Sequence, residues 1–310
     1  VDVGLDAEAV RRCEQYIVAL PPNESLLLSR LSTTRAFYHG TRGQRADALK
    51  VATEAVAHAR ASEDANQLAS ALRCLGAASM RVSRLDEAEE ALTEAEAIPS
   101  KSRYRRLLLL SERALLSDFR GDFGTAIRAN EQLAKEQRAL GNIRGETNAR
   151  LNIAECEYAL GHTHRAIAVI NEVLPAIRAR TDKRQLFTAL ANLAGYLITI
   201  DDISGTIAAA REVIMHAASE QDYFYIGIGI EHLALAYALR GDLTRAATQE
   251  GFADSLFHRG GIERETTEAK TYDRLMALLR ERLSPDDLAR LLAEGASLTT
   301  EAAAALSLED

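Results

Sequence analysis

The sequence has no tryptophan, 5 prolines in 310 residues and 5% aromatic residues. That poverty argues against a β-sandwich or barrel, whose strands favour aromatic and β-branched side chains. Three cysteines, Cys13, Cys74 and Cys156, are too few and too scattered for a disulfide framework or a zinc site. A reducing compartment, the cytoplasm, is therefore expected. No apolar run approaches the roughly 18 residues of a membrane span, and no stretch reads as a signal peptide. A basic surplus is missing too: the net charge is −8, which argues against direct nucleic-acid contact by this segment. The first residue is Val1 rather than Met, so a segment of a longer protein is expected.

Helix formers are what the sequence has in abundance. Apolar residues make up 47% and charged residues 26%, dominated by Ala, Leu, Glu and Arg, which predicts a soluble all-α chain. At about 150 residues per domain the length suggests two domains, but a repeat array grows by stacking instead.

The sequence repeats. Gly43, Ser83, Gly121, Gly161, Asp201 and Gly241 stand 40, 38, 40, 40 and 40 residues apart. Seven residues before each stands a small residue: Ala36, Gly76, Ala114, Ala154, Ala194 and Ala234. Five residues after each stands another: Ala48, Ala88, Ala126, Ala166, Thr206 and Ala246. The breaker between them is a tight turn, as in Gly161-His162, Asp201-Asp202 and Gly241-Asp242. Each unit thus reads helix A, turn, helix B, turn, with about 16 residues per helix. The small columns mark where A and B cross. Apolar neighbours such as Leu151, Ile153, Ile167, Ile170, Val173 and Leu174 follow at helical spacing. One hairpin cannot bury its apolar stripe, whereas a stack of six can.

This pattern resembles the tetratricopeptide repeat (TPR), best in LNIAECEYALGHTHRAIAVINEV (151–173) and HLALAYALRGDLTRAATQEGFA (232–253). The resemblance covers residues 26 to about 258. The period is 40 rather than about 34, the helix-A Trp is absent, and the Pro ending helix B is mostly absent. HEAT repeats share a period near 40, but the Gly-centred turn and twin small columns favour TPR. The resemblance implies a right-handed α-solenoid of about six repeats over 26–260, with 1–25 as a helix of a preceding partial repeat and 261–310 as a C-terminal helical cap. Within that cap a helix is expected at 263–283. Another is expected after Ser284-Pro285 and closed by Gly295, and a last short one from Thr299 or Thr300. The tail LARLLAEGASLTTEAAAALSL (288–308) is similar to the segment that follows the repeats in large bacterial regulators. Those regulators join a STAND-type ATPase to a TPR array, often with a LuxR or winged-helix DNA-binding domain, as in relatives of the maltose-regulon activator. The resemblance implies a sensor or docking arm of a transcriptional regulator or signalling ATPase.

Motifs of catalysis are missing. There is no G-x-x-x-x-G-K-[ST] phosphate loop, H-E-x-x-H or G-x-S-x-G. Gly227-Ile228-Gly229 opens a helix A and reads as a flexible or close-packed helix start rather than a nucleotide loop. His162 and His164 flank a repeat turn without a Cys or carboxylate at ligand spacing, so a solvated loop is the reading. Glu155 and Glu157 point to different faces of one helix, poor geometry for paired acid and base. No catalytic residue, cofactor or metal is nominated.

Helical geometry nominates a surface instead. With the small residue of helix A facing helix B, residues six before, two before, one after and five after it point away, at about 120°, 160°, 100° and 140°. This face would line the groove of the superhelix. The fourth repeat places Asn148, Asn152 and Glu155 there, the fifth Thr188 and Asn192, the sixth His232, the third Leu108, Leu115 and Phe119, and the second Arg81. Asn152, Asn192 and His232 share one column, spaced 40 apart. An amide both donates and accepts, so such a ladder could hold an extended peptide backbone, and peptide-binding TPR proteins resemble this at that position. The alternative is that these groups bond neighbouring helices or water. Leu108, Leu115 and Phe119 form either an apolar pocket or contacts between adjacent A helices.

Three functions are then open. The first is a non-enzymatic domain that binds a protein or peptide, or senses a small effector, with no membrane contact. The second is a scaffold for self-association as a homo-oligomer, or for docking against an ATPase module. The third is an enzyme with an unrecognised site, for which no residues are nominated.

Overall fold

The computed structural model describes residues 11–13, 15–21, 23–41, 44–180, 183–260 and 264–309. Helix is the only regular structure among them. Gly43, Pro22 and, within the expected 1–25 segment, residues 1–10 and 14 lie outside the described residues, while 11–13 and 15–19 are helical.

The chain forms two compact units, Val1–Glu136 and Gln137–Asp310. The first holds the hairpins α1 (Ser25–Thr41) with α2 (Arg45–Ala61), α3 (Ala65–Arg81) with α4 (Leu85–Ala97), and α5 (Arg103–Phe119) with α6 (Phe123–Ala139), whose last turn crosses the boundary. The second holds α7 (Ile143–Ala159) with α8 (Thr163–Arg178), α9 (Lys183–Thr199) with α10 (Ile203–Ser219), and α11 (Tyr223–Arg240) with α12 (Leu243–Gly260). Then follow α13 (Thr266–Arg282), α14 (Pro285–Ala296) and α15 (Thr300–Leu308). The single short interval between turns, 38 residues, coincides with the 13-residue helix α4.

The turns behave as their residues dictate. Gly121, Gly161 and Gly241 are left-handed at φ 75°, 82° and 93°, and the two non-glycine members of the column, Ser83 and Asp201, adopt the same region at 60° and 59°. The following acidic residue then caps the next helix. Asp122 accepts from the Thr125 amide, Asp202 from Gly205 and Asp242 from Arg245. A second series of left-handed residues, Glu63, Gly141 and Gln221, turns helix B into the next helix A, where Asp64, Asn142 and Asp222 cap in the same way.

Both small columns are buried. Ala154, Ala194, Ala234, Ala166, Thr206 and Ala246 are each 0% exposed. Leu174, Ile170, Leu190, Ile214, Leu233 and Phe252 fill the space around them in the second unit, as Val56, Leu72, Met80 and Leu92 do in the first. Exposed pairs such as Arg60–Glu94 at 2.8 Å and Arg178–Glu212 at 2.6 Å join successive B helices. Each contributes at most about 1 kcal/mol.

The C-terminal helices start as their caps require. Ser284 Oγ accepts from the Asp287 amide with Pro285 in the first turn, and Thr299 Oγ1 accepts from the Ala302 amide. Gly295 does not close α14. It lies inside the last turn, and Ser297 is the C-cap. Its role is close approach: α14 crosses α12 backbone to backbone. A Cβ on Gly295 would sit 1.9 Å from the Thr248 carbonyl oxygen, and one on Gly251 2.1 Å from that of Leu292. α15 rests on α10, α11 and α12. Arg245 donates to the Leu306 and Glu309 carbonyls, and Arg211 to Glu309, so two carbonyls at the end of α15 gain guanidinium partners.

Gly295→Ala forces these two backbones apart. The expected cost is ~1–3 kcal/mol, a fall of several degrees in the melting temperature followed by circular dichroism. An unchanged melting temperature would contradict the backbone crossing.

Candidate functional site

In the second unit the outward face of the A helices carries a mixed set of side chains. Asn148 and Glu155 of α7 are exposed, and Asn152 is half-buried. Thr188 and Asn192 of α9 are half-buried. His232 of α11, expected beside them in the groove, is 0% exposed. The reason is α13, which packs on α11 and reaches α9. Thr271 of α13 meets His232 Nδ1 at 3.1 Å. A Cβ on Gly195 would lie 2.3 Å from Thr267 Cγ2 and 3.1 Å from the His232 ring. The sixth-repeat row is therefore interior, and Ile228 and Leu235 are buried with it.

α13 holds this seat through further contacts with earlier repeats. Lys270 Nζ lies 4.7 Å above the Tyr158 ring, which itself stacks on Tyr196 at 4.4 Å between centroids. Arg274 donates to the Ile198 carbonyl at 3.0 Å and to Asp201 at 2.7 Å. Polar side chains also bridge neighbouring A helices directly. Thr147 meets Gln185 at 3.1 Å, Tyr158 meets Thr199 at 3.0 Å, and Thr188 meets Tyr225 at 2.7 Å. For Thr188 and His232 the interhelical bond is thus observed. Asn148, Asn152, Glu155 and Asn192 stand in the stretch that α13 leaves accessible.

In the first unit, Arg81 is exposed and donates to the Ala77 carbonyl. Leu108 is half-buried, Leu115 packs against the core formed by α2 to α5, and Phe119 is 45% exposed. Only Phe119 of the three offers a large apolar surface. Arg73 and Glu112 meet at 2.7 Å between α3 and α5, and burial raises the Glu112 carboxyl. Cys74 is buried, its thiol pushed up to about 11 by burial, so it acts as a small packing group.

The sequence reading missed a charged cluster at the root of α13. Glu231 and Glu250 are each 0% exposed and flank Arg264. A signal for it exists. Glu250 occupies a column of helix B that holds Ala52, Leu92, Ile170 and Ala210 in four other repeats and Asn130 in the third, all buried. Glu231 stands where the two preceding repeats have Leu151 and Ala191. A carboxylate at a buried position of the repeat requires a partner from elsewhere in the chain.

The turn histidine His162 bonds Glu157 at 2.8 Å, and Glu157 also meets Arg165 at 2.9 Å. No group of three or more potential metal ligands forms among the described residues. No helix among them is long and apolar enough to cross a membrane.

Burial lowers His232 to about 4 from an ordinary 6.5, so the ring is neutral. Its Nε2 lies 3.9 Å from Glu268, too far for a hydrogen bond, and a neutral ring forms no ion pair there. Because the folded-state value is depressed, this group's contribution to stability is present above about pH 6.5 and is lost as pH falls toward 4. The His232 ring proton resonances should therefore hold their neutral-form shifts down to about pH 5. A titration midpoint near 6.5 would contradict the burial.

No protein-family model and no curated protein matches the chain. Solved structures do. A Rap protein complexed with competence and sporulation factor is 16% identical over 91% of this chain and 80% of its own, with a TM-score of 0.64. A STAND protein with a TPR sensor from Pyrococcus horikoshii is 15% identical, with a TM-score of 0.61 over 87% of this chain and 43% of its own. NprR in complex with its cognate peptide NprX is 14% identical, with a TM-score of 0.57 over 96% of this chain and 86% of its own. The all-α helix-turn-helix array of this chain has the fold of tetratricopeptide-repeat proteins.

Proposed function

We propose that this chain is a non-enzymatic TPR domain that binds a protein or peptide on the A-helix face of its second unit. Its context would be the regulatory part of a bacterial transcriptional regulator or signalling ATPase. The observation that carries the reading is the accessible row of Asn148, Asn152, Glu155 and Asn192 on α7 and α9. Amides one repeat apart can each donate to and accept from an extended backbone without reading its side chains. Two of the fold neighbours support a peptide ligand, one solved with competence and sporulation factor and one with a cognate peptide. A third, the TPR sensor of a STAND ATPase, supports the regulatory context.

The test is capture from a lysate of the source organism by the immobilised chain, read by mass spectrometry. Asn152→Ala with Asn192→Ala runs alongside, its fold checked by circular dichroism. The double variant should retain at least about tenfold less partner, equivalent to ~1.4 kcal/mol of binding free energy. Equal capture by a folded double variant would remove the site from this face. Capture of nothing by either protein would contradict a macromolecular ligand and favour a small effector.

A further inference from the structure

The second unit buries a cluster of charge that ligand binding on the A-helix face does not use. Arg264, two residues ahead of α13, donates through three nitrogens to three carboxylates. They are Glu231 of α11 at 2.6 Å, Glu250 of α12 at 3.1 Å and Asp254 of α12 at 3.0 Å. The guanidinium lies 4.0 Å from the Tyr272 ring centroid and 4.8 Å from that of Phe257. Asp254 is partly exposed, while Glu231 and Glu250 are fully buried. Each of those two keeps one oxygen, Glu231 Oε1 and Glu250 Oε2, without a hydrogen-bond partner. One cation compensates one buried anion. The second buried carboxyl is left with no counter-charge, and such a group takes up a proton.

Among the described residues, the other groups facing the cluster do not supply that charge. From α11 comes His232, which is neutral. From α13 and its approach come Glu265, Glu268 and Tyr272, and Arg280 acts on Tyr272. α14 meets α12 on another side, through the backbones at Gly251 and Leu292. Burial pushes Glu231 up to about 8 despite Arg264, raises Glu250 well above the carboxylate range with Glu231 adding to the effect, and lifts Glu268 to about 7.

What this cluster anchors is the root of α13. That helix covers Gly195 with Thr267, Tyr158 with Lys270 and the end of α9 with Arg274. We propose that the Arg264 cluster is a proton-operated latch. While Glu231 and Glu250 hold one proton between them, Arg264 keeps α13 seated on α11 and α9. Loss of that proton to solvent frees α13 and uncovers the A-helix face at Gly195 and Tyr158. The latch stands whether or not that face binds a peptide. The sign follows from linkage. The seated state holds the proton more tightly than the released one, whose carboxyls revert to about 4.5, so seating weakens as pH rises from there through about 8.

Hydrogen exchange of the full chain, read by mass spectrometry and corrected for intrinsic rates, tests this between pH 5.5 and 7.5. Protection of 266–282 should fall about tenfold per pH unit for each linked proton, while 203–219 stays level. Glu250→Gln keeps that site permanently neutral, and its slope should be shallower by about one proton. Glu268 titrates in both proteins, so the difference isolates the latch. If Glu250→Gln does not fold, Glu231→Gln tests the same proton. A fall confined to 266–282 in the wild type supports the latch. Protection independent of pH, a fall shared equally by 203–219, or parallel slopes in wild type and variant each overturn it.

Discussion

The structure depends on the distance of closest approach between helices A and B of one repeat. Ala154 and Ala166, Ala194 and Thr206, and Ala234 and Ala246 are all 0% exposed where those pairs cross. A larger side chain there would add methylenes to a filled interface and force the backbones apart. Small residues on one side of helix A also decide what its other side does. Leu and Ile flank the crossing and enter the core. The residues beyond them, Asn148, Asn152, Glu155 and Asn192 among them, are turned toward the outside. The candidate ligand row is a consequence of how tightly each hairpin closes.

Stacking then sets a second condition. Each repeat leaves one face open, and in the second unit the face left by α11 and α12 is covered by α13 and α14. The contacts differ in kind. α14 meets α12 through glycine, with almost no side chain between the backbones. α13 buries Leu275, Met276 and Leu279 in the core and adds polar contacts, with Thr271 on α11, Arg274 at the end of α9, Lys270 over Tyr158 of α7 and Arg264 at its root. Polar contacts exchange for water at little net gain, whereas a backbone crossing gives up dispersion contact outright. Of the two, α13 is the one with buried charge at its root.

Much of the fold was legible in the sequence because its causes are local and recur. The left-handed turns, the Asp caps after them, the paired small columns and the Ser284-Pro285 start each follow from residues within one repeat. Column position alone places His232 in a groove. Its burial depends on a helix some forty residues later crossing over it. Glycine ends helices more often than it joins two of them, so the sequence alone makes Gly295 a stop. Only the position of Thr248 in space distinguishes the roles. Glu231 and Glu250 stand where the neighbouring repeats have Ala191 and Ala210, a weak signal in itself, and their partner Arg264 lies outside the repeat pattern.

The central claim is that the ligand lies along the A helices of the second unit. The most direct measurement places a photo-crosslinking amino acid at Asn148 on α7 or, as comparison, at the exposed Ala208 on helix B α10. Irradiation in cells of the source organism is followed by identification of the adducts. The account predicts a discrete adduct from position 148 and none from 208. Adducts from 208 with none from 148 would contradict it and move the ligand to the B helices.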